Sequence, residues 1–254
     1  MDRVNYAENI ARQAGGLLLG YRRGVLTVEP KSRTDFKVAA DDASDRLIKK
    51  MILERFPEDM IISEESGFAK GISEYSWIVD PLDGTIPYTY ATSDHFAVSI
   101  GITKLDKVIA GVIFAPARKE MYVAAEGGGA FCNGEAIMAW APEDFQKSII
   151  LVDRGKTDRQ RIVPFIDRLQ SPDGVASVVC YAASACSFAL VAKGNLHGAV
   201  TIGLDLWDTT AASIIMREAG VRLTTVEGKE WEFGDDSLMA AHPRTHEKLR
   251  ELFS

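Results

Sequence analysis

Apolar positions along this chain follow two periods, one helical and one strand-like, and the change from one to the other marks its elements. Val4, Ala7, Ala11, Ala14, Leu18 and Tyr21 recur at helical steps, which predicts an amphipathic helix over residues 3–22 ending near Gly24. Ala43, Leu47, Met51 and Ile52 repeat the pattern and predict a second helix from about Asp42 to Phe56, with acids in its first turn and Pro57 as its stop. Asp41 then lies at or just before a helix N-terminus. A short strand from Met60 to Ser63 leads into Glu64-Glu65, a polar loop, and a second strand through Trp77-Ile78-Val79.

Strand-like runs cover Phe96 to Thr103, Val108 to Phe114 and Met121 to Ala125, and their short connections favour antiparallel neighbours. Gly127-Gly128-Gly129 and Asn133-Gly134 mark turns, since neither opens a helix as a dinucleotide site would. After about residue 148 the elements alternate: strand 148–152, helix 158–169, strand 175–180, helix 184–193, strand 198–202, helix 208–219, strand 221–225 and a helix near 243–253. The expectation is one layered unit with an α+β half over 1–147 and an α/β half over 148–254. No internal repeat or low-complexity linker interrupts it.

Composition narrows the picture little. The 254 residues are 46% hydrophobic and 26% charged, as in ordinary globular proteins, and runs such as Ile109 to Ala117 are too short to span a bilayer. The first eight residues have neither a basic region nor an apolar core, so a cytoplasmic location is expected rather than a membrane or secreted one. Cys132, Cys180 and Cys186 lack zinc-like spacing and read as buried free thiols. With 36 acidic against 29 basic side chains, the net charge of −7 argues against nucleic-acid binding.

The chemistry concentrates in Asp80-Pro81-Leu82-Asp83-Gly84-Thr85. Two carboxylates at a strand end make a local negative charge that divalent cations would neutralise. The amides of Gly84 and Thr85, where a helix can begin, offer a seat for a phosphate. Metals beside phosphate imply phosphoester chemistry. Read alone, Asp208 in Asp-Leu-Trp-Asp-Thr-Thr is a helix N-cap, and Glu64-Glu65 are solvated loop charges.

The joint pattern says more. Ser63-Glu64-Glu65-Ser66, Asp80 to Thr85, and Trp207-Asp208-Thr209-Thr210-Ala211-Ala212 together resemble the inositol monophosphatase family of magnesium-dependent, lithium-sensitive phosphatases. The likeness extends to Ala97-Val98-Ser99-Ile100-Gly101, Gly111-Val112-Ile113 and Gly128-Gly129-Ala130-Phe131-Cys132-Asn133-Gly134. It implies an α/β fold, the αβαβα five-layer sandwich of sugar phosphatases, and a homodimer acting on a small phosphomonoester. It also implies a first magnesium on Glu64, Asp80 and the Leu82 carbonyl, and a second on Asp80, Asp83 and Asp208. A third, weaker ion would lean on Glu64 and water. By the same resemblance Thr85 and Asp41 orient and deprotonate the attacking water, and Gly84 with Thr85 binds phosphate. Oxygen ligands suit magnesium, and no His or Cys cluster suggests zinc.

Departures from the family pattern bear on the substrate. Ile86-Pro87-Tyr88 stands where the family has Thr-Asn-Phe, and Ala39 replaces the threonine of the family's Val-Thr-x-x-Asp before Asp41. Thr201 occupies the place of a glutamate that accepts substrate hydroxyls in inositol-specific members, leaving Asp83, Asp205 and Ser184 as further substrate contacts. Inositol phosphate is favoured by the family alone; histidinol phosphate, fructose bisphosphate and 3'-phosphoadenosine 5'-phosphate stay open, as does a catalytically weak regulatory homologue.

Overall fold

Alternation along the strands sends side chains into separate cores, and this layering organises the molecule. The computed structural model describes residues 2–22, 28–30, 36–155 and 160–254. Among them are seven α-helices: α1 (Asp2–Arg22), α2 (Ala39–Arg55), α3 (Thr85–Tyr90), α4 (Val163–Leu169), α5 (Ser184–Ala192), α6 (Leu206–Glu218) and α7 (Pro243–Phe253). A small antiparallel ribbon pairs β1 (Val28–Pro30) with β2 (Phe36–Val38).

The large sheet holds β3 (Met60–Ser63), β4 (Gly67–Ala69), β5 (Tyr75–Asp83), β6 (Ala97–Lys104), β7 (Lys107–Ala115), β8 (Glu120–Ala125), β9 (Ala130–Cys132) and β10 (Glu135–Ala136), in the order β10-β9-β8-β7-β6-β5-β3-β4. All neighbours are antiparallel except β3 and β5. The second sheet holds β11 (Ile149–Arg154), β12 (Ser177–Val179), β13 (Gly198–Ile202), β14 (Arg222–Thr224) and β15 (Ser237–Ala241), ordered β12-β11-β13-β15-β14. Here β12, β11 and β13 are parallel, while β15 and β14 run antiparallel.

Val98, Ile100 and Ile102 of β6 pack with α1 and α2, whereas Ala97 joins Ile113 and Ala115 of β7 against α5 and α6. In the second sheet Leu151, Ala199 and Leu238 face α5 and α6, and Ile150, Val200 and Met239 face Leu169 of α4 and Leu249 of α7. Period-two strands covered on both faces therefore give five layers: α1/α2, the large sheet, α5/α6, the second sheet, α4/α7. This is the α/β sandwich that the resemblance implies.

Helix α6, from beyond residue 148, lies directly on the large sheet. A Cβ built at Gly101 would stand 2.3 Å from Thr210 Cγ2, and one at Gly111 2.3 Å from the Ala211 carbonyl oxygen. Glycine at these two positions lets the helix backbone reach the strands.

Several boundaries differ from the sequence reading. Helix α2 begins at Ala39, not Asp42, because the Asp41 carboxylate accepts the Val38 N–H at 2.6 Å and closes the first turn earlier; Asp41 thus lies inside that turn. Likewise α6 begins at Leu206, so Asp205 is its N-cap, and Asp208 is the third helical residue rather than the cap. Strand β15 has no counterpart in the expected elements. Cys132 and Cys186 are buried free thiols, but Cys180 is exposed. The expected helix end at Gly24 lies outside the described residues, and the helix expected from 158 begins only at Val163, residues 160–162 forming a turn ahead of it.

Candidate functional site

Strand alternation alone would put Asp80 and Asp83 on opposite faces of β5. A bulge corrects this. Asp80 pairs with Ser99 and Asp83 with Ala97, so two residues of β5 oppose one of β6 and both carboxylates reach the face covered by α6. On that face Asp208 stands in the first turn of α6. The bulge is held locally: the Leu82 N–H donates to Asp80 Oδ1 at 3.0 Å, and Ser44 Oγ of α2 donates to the Pro81 carbonyl at 2.8 Å.

Immediately after the bulge the chain turns into α3 through Gly84, whose φ of 80° lies in the left-handed region. A Cβ there would also meet the His95 carbonyl oxygen at 2.5 Å, so conformation and space both require glycine. Thr85 is the first residue of α3, and its hydroxyl donates to the Leu82 carbonyl at 3.2 Å. Pro87 is the third helical residue, still within the turn whose amides lack intrahelical partners.

Helix α2 supports the neighbouring loop through a residue that no motif marks. Buried Asp45 accepts Ser63 Oγ at 2.5 Å and Ser66 Oγ at 3.0 Å, gripping both sides of Glu64-Glu65. Glu64 is half-buried, and its N–H is bonded to the Val79 carbonyl at 3.1 Å, beside Asp80. Asp41 is buried one helical turn before Ser44.

From the other sheet, α5 directs its N-terminus at Asp83. Asp83 Oδ2 accepts the Cys186 N–H at 2.9 Å, and the Ala185 amide also supports the carboxylate. A strand residue of the large sheet thus caps a helix of the middle layer, whose own N-cap, Ala183, has no side-chain acceptor. Ser184 is half-buried in that first turn, and Asp205 is exposed at the start of α6. Thr201 is fully buried in β13, its hydroxyl making only a long contact of 3.5 Å to the Leu238 carbonyl.

Electrostatics identify the cluster. Burial, followed by the charges of Glu64, Asp83 and Asp208, pushes the Asp80 carboxyl well above its ordinary range. Burial raises Asp83 to about 7 against the opposing Cys186 and Ala185 amides, with Asp153 and Glu64 adding repulsion. Asp208 Oδ2 accepts the Asp205 N–H at 2.8 Å, yet burial and the charges of Glu64, Asp83 and Asp205 raise it well above normal. The residue is half-buried by area, but its carboxyl faces inward among the other acids.

Among the described residues, no three His, Cys, Asp or Glu side chains are already gathered as a metal cage. Glu64, Asp80, Asp83, Asp208 and the Leu82 carbonyl offer only oxygen donors, and the three aspartates are raised first by burial and further by neighbouring carboxylates. Hard divalent cations fit such a set, and magnesium fits better than zinc. No helix is long and apolar enough to cross a membrane among the described residues.

Known proteins share this architecture. Human inositol monophosphatase 1 is 31% identical over 254 residues, spanning 95% of this chain and 90% of its own. The fructose-1,6-bisphosphatase/inositol-1-monophosphatase of Aquifex aeolicus is 31% identical over 247 residues, spanning 96% and 92%. The crystal structure of the extragenic suppressor protein suhB from Bartonella henselae superposes with a TM-score of 0.93 at 27% identity, covering 100% of this chain and 99% of that one. The model of the inositol monophosphatase family matches residues 1–254, and the chain belongs to that family.

Proposed function

We propose that the protein is a magnesium-dependent phosphatase that hydrolyses a small phosphomonoester, a sugar or polyol phosphate, by direct attack of water. The observation carrying this reading is the bulged end of β5, which puts Asp80 and Asp83 on one face with Asp208, next to the Gly84-Thr85 turn. Glu64, Asp80 and the Leu82 carbonyl would hold one magnesium, and Asp80, Asp83 and Asp208 a second. Ions held by these residues would supply a more nucleophilic water and charge neutralisation at the leaving oxygen. The amides of Gly84 and Thr85 bind the phosphate oxygens, and the Thr85 hydroxyl with Asp41 aligns the water and takes its proton.

The test is phosphate release from inositol 1-phosphate, fructose 1,6-bisphosphate, histidinol phosphate and 3'-phosphoadenosine 5'-phosphate, with magnesium and with chelator. Magnesium-dependent release from at least one sugar or polyol ester is expected. Undiminished release in chelator would sink the metal assignment, and no release from any substrate would sink the phosphatase reading.

The raised carboxyls add a prediction about stability. Without cations, burial and neighbouring carboxylates make the folded chain hold protons on Asp80, Asp83 and Asp208 more tightly than the unfolded chain, whose ordinary values lie near 3.8. Their stabilising effect is therefore complete below the unfolded value and is lost as pH rises through about 7, the value for Asp83. Magnesium binds the ionised form and should reverse that loss. At an ion concentration about 100 times Kd the gain is about 2.7 kcal/mol, or roughly 5–11 °C for a chain of this size. Thermal unfolding at pH 5 and pH 8, with magnesium and with chelator, should show the gap at pH 8. An equal or larger gap at pH 5 would contradict the cluster's role.

A further inference from the structure

The parallel strands β11, β12 and β13 end on the side of the second sheet where α5 begins. Ligands of open α/β sheets are held outside the carboxyl ends of such strands. Asp153 lies there, one residue before the end of β11, and its register partner on β13 is Thr201. Strand alternation turns Asp153 the same way as Leu151, toward the middle helix layer. It is 8% exposed.

Its two oxygens are treated differently. Oδ1 accepts the Arg154 N–H at 2.8 Å and the Cys180 thiol at 3.8 Å. Burial raises the carboxyl above its ordinary range, against the Arg154 amide, the Cys180 thiol and, as the smallest influence, the Ala183 amide at the head of α5; Oδ2 is buried and makes no well-formed hydrogen bond. Folded proteins seldom leave a buried acceptor unmatched, and a bound water, ion or ligand is among the explanations for one that is. Two neighbouring features indicate that group. The Asp153 charge acts on Asp83, so carboxylates from the two sheets confront each other across the first turn of α5, with Ser184 in that turn. Cys180 is exposed while its thiol touches Oδ1, so Asp153 is one side chain from solvent.

A carboxylate oxygen accepts hydrogen bonds, and an alcohol hydroxyl is one neutral donor able to fill it. The hydroxyl of Thr201, at the same register one strand away, is directed to the Leu238 carbonyl inside the sheet. We propose that Asp153 is a specificity-determining residue whose free oxygen accepts a hydroxyl from the alcohol half of the substrate, so that the site selects polyhydroxy phosphomonoesters over equally sized hydroxyl-free ones. The proposal rests on the phosphatase reading above and adds the residue that reads the alcohol.

The experiment compares inositol 1-phosphate with cyclohexyl phosphate, which has the ring without the hydroxyls, for the wild type and Asp153→Asn in saturating magnesium. Asparagine keeps the shape and an oxygen for the Arg154 amide and Cys180, while it removes the charge and turns part of the group into a donor. The expected result is a fall in kcat/KM of roughly 10- to 100-fold on inositol 1-phosphate, the range for losing a hydrogen bond to a charged group, with cyclohexyl phosphate within about twofold of wild type. Should Asp153→Asn fail to fold, Asp153→Ser serves the same comparison with a smaller polar side chain. An equal fall on both substrates, or in neither, overturns the proposal and leaves the phosphatase reading standing. A wild type inactive on both esters as well as on the wider substrate panel overturns the two together.

Discussion

Asp83→Asn and Asp208→Asn are each expected to lower magnesium-dependent phosphate release by roughly 10²–10³-fold, the scale of removing one preorganised electrostatic contact from a reacting centre. Each substitution exchanges a charged oxygen for a neutral amide nitrogen of the same size. The fold should tolerate it. Asn at 83 still offers an oxygen to the Cys186 amide that caps α5, and Asn at 208 still offers one to the Asp205 amide. Each also relieves the repulsion acting on Asp80, Asp83 and Asp208, so the metal-free variants should unfold no earlier than the wild type at pH 8. Initial rates alongside thermal unfolding separate the two effects. Full activity in either folded variant would remove that residue from the metal centre.

Thr85→Ala should act on turnover more than on affinity. The phosphate seat proposed here uses the amides of Gly84 and Thr85, which survive the substitution, whereas the hydroxyl that is lost lies 3.2 Å from the Leu82 carbonyl at the mouth of the bulge. A relay that aligns and deprotonates water contributes about 10²–10⁴-fold, and its loss appears in kcat with KM little changed. Steady-state kinetics on the best substrate of the panel decide the matter. An unchanged kcat with a raised KM would make Thr85 a binding residue and dissolve its partnership with Asp41.

The parts of the molecule legible in its sequence are those where pattern and environment agree. Val98, Ile100 and Ile102 alternate with residues facing α6, and β6 is found where the pattern places it. Strand β15 escaped because Ser-Leu-Met-Ala-Ala is buried at every position and contains no β-branched residue, so it has neither alternation nor strand-like composition. The early starts of α2 and α6 share a cause: Asp41 and Asp208 reach back to the amides of Val38 and Asp205, so an acid that reads as a flank is the third helical residue.

The site was legible as motifs and illegible as geometry. The sequence puts Asp80 and Asp83 together at a strand end but does not say how a three-residue step brings both to one face; the pairing with β6 shows the bulge that does so. Asp45 and Asp153 carry no local signal. Asp45 is one of several acids on an amphipathic helix, and its grip on Ser63 and Ser66 depends on a contact between α2 and β3 that spacing does not encode. Asp153 sits just past a predicted strand end, and its relation to Thr201 exists only through strand register.

Gly101 and Gly111 contribute no chemistry, yet they set how far α6 stands from the large sheet. Asp208 rides on that helix while Asp80 and Asp83 belong to the sheet, so the thickness of two missing methyl groups is a dimension of the proposed metal centre. Machinists would call these positions datum surfaces: faces that touch nothing in use but from which every working distance is measured. Variation in this chain should accordingly be judged by what a residue spaces as well as by what it binds, and a change at position 101 or 111 belongs with changes to the carboxylates themselves.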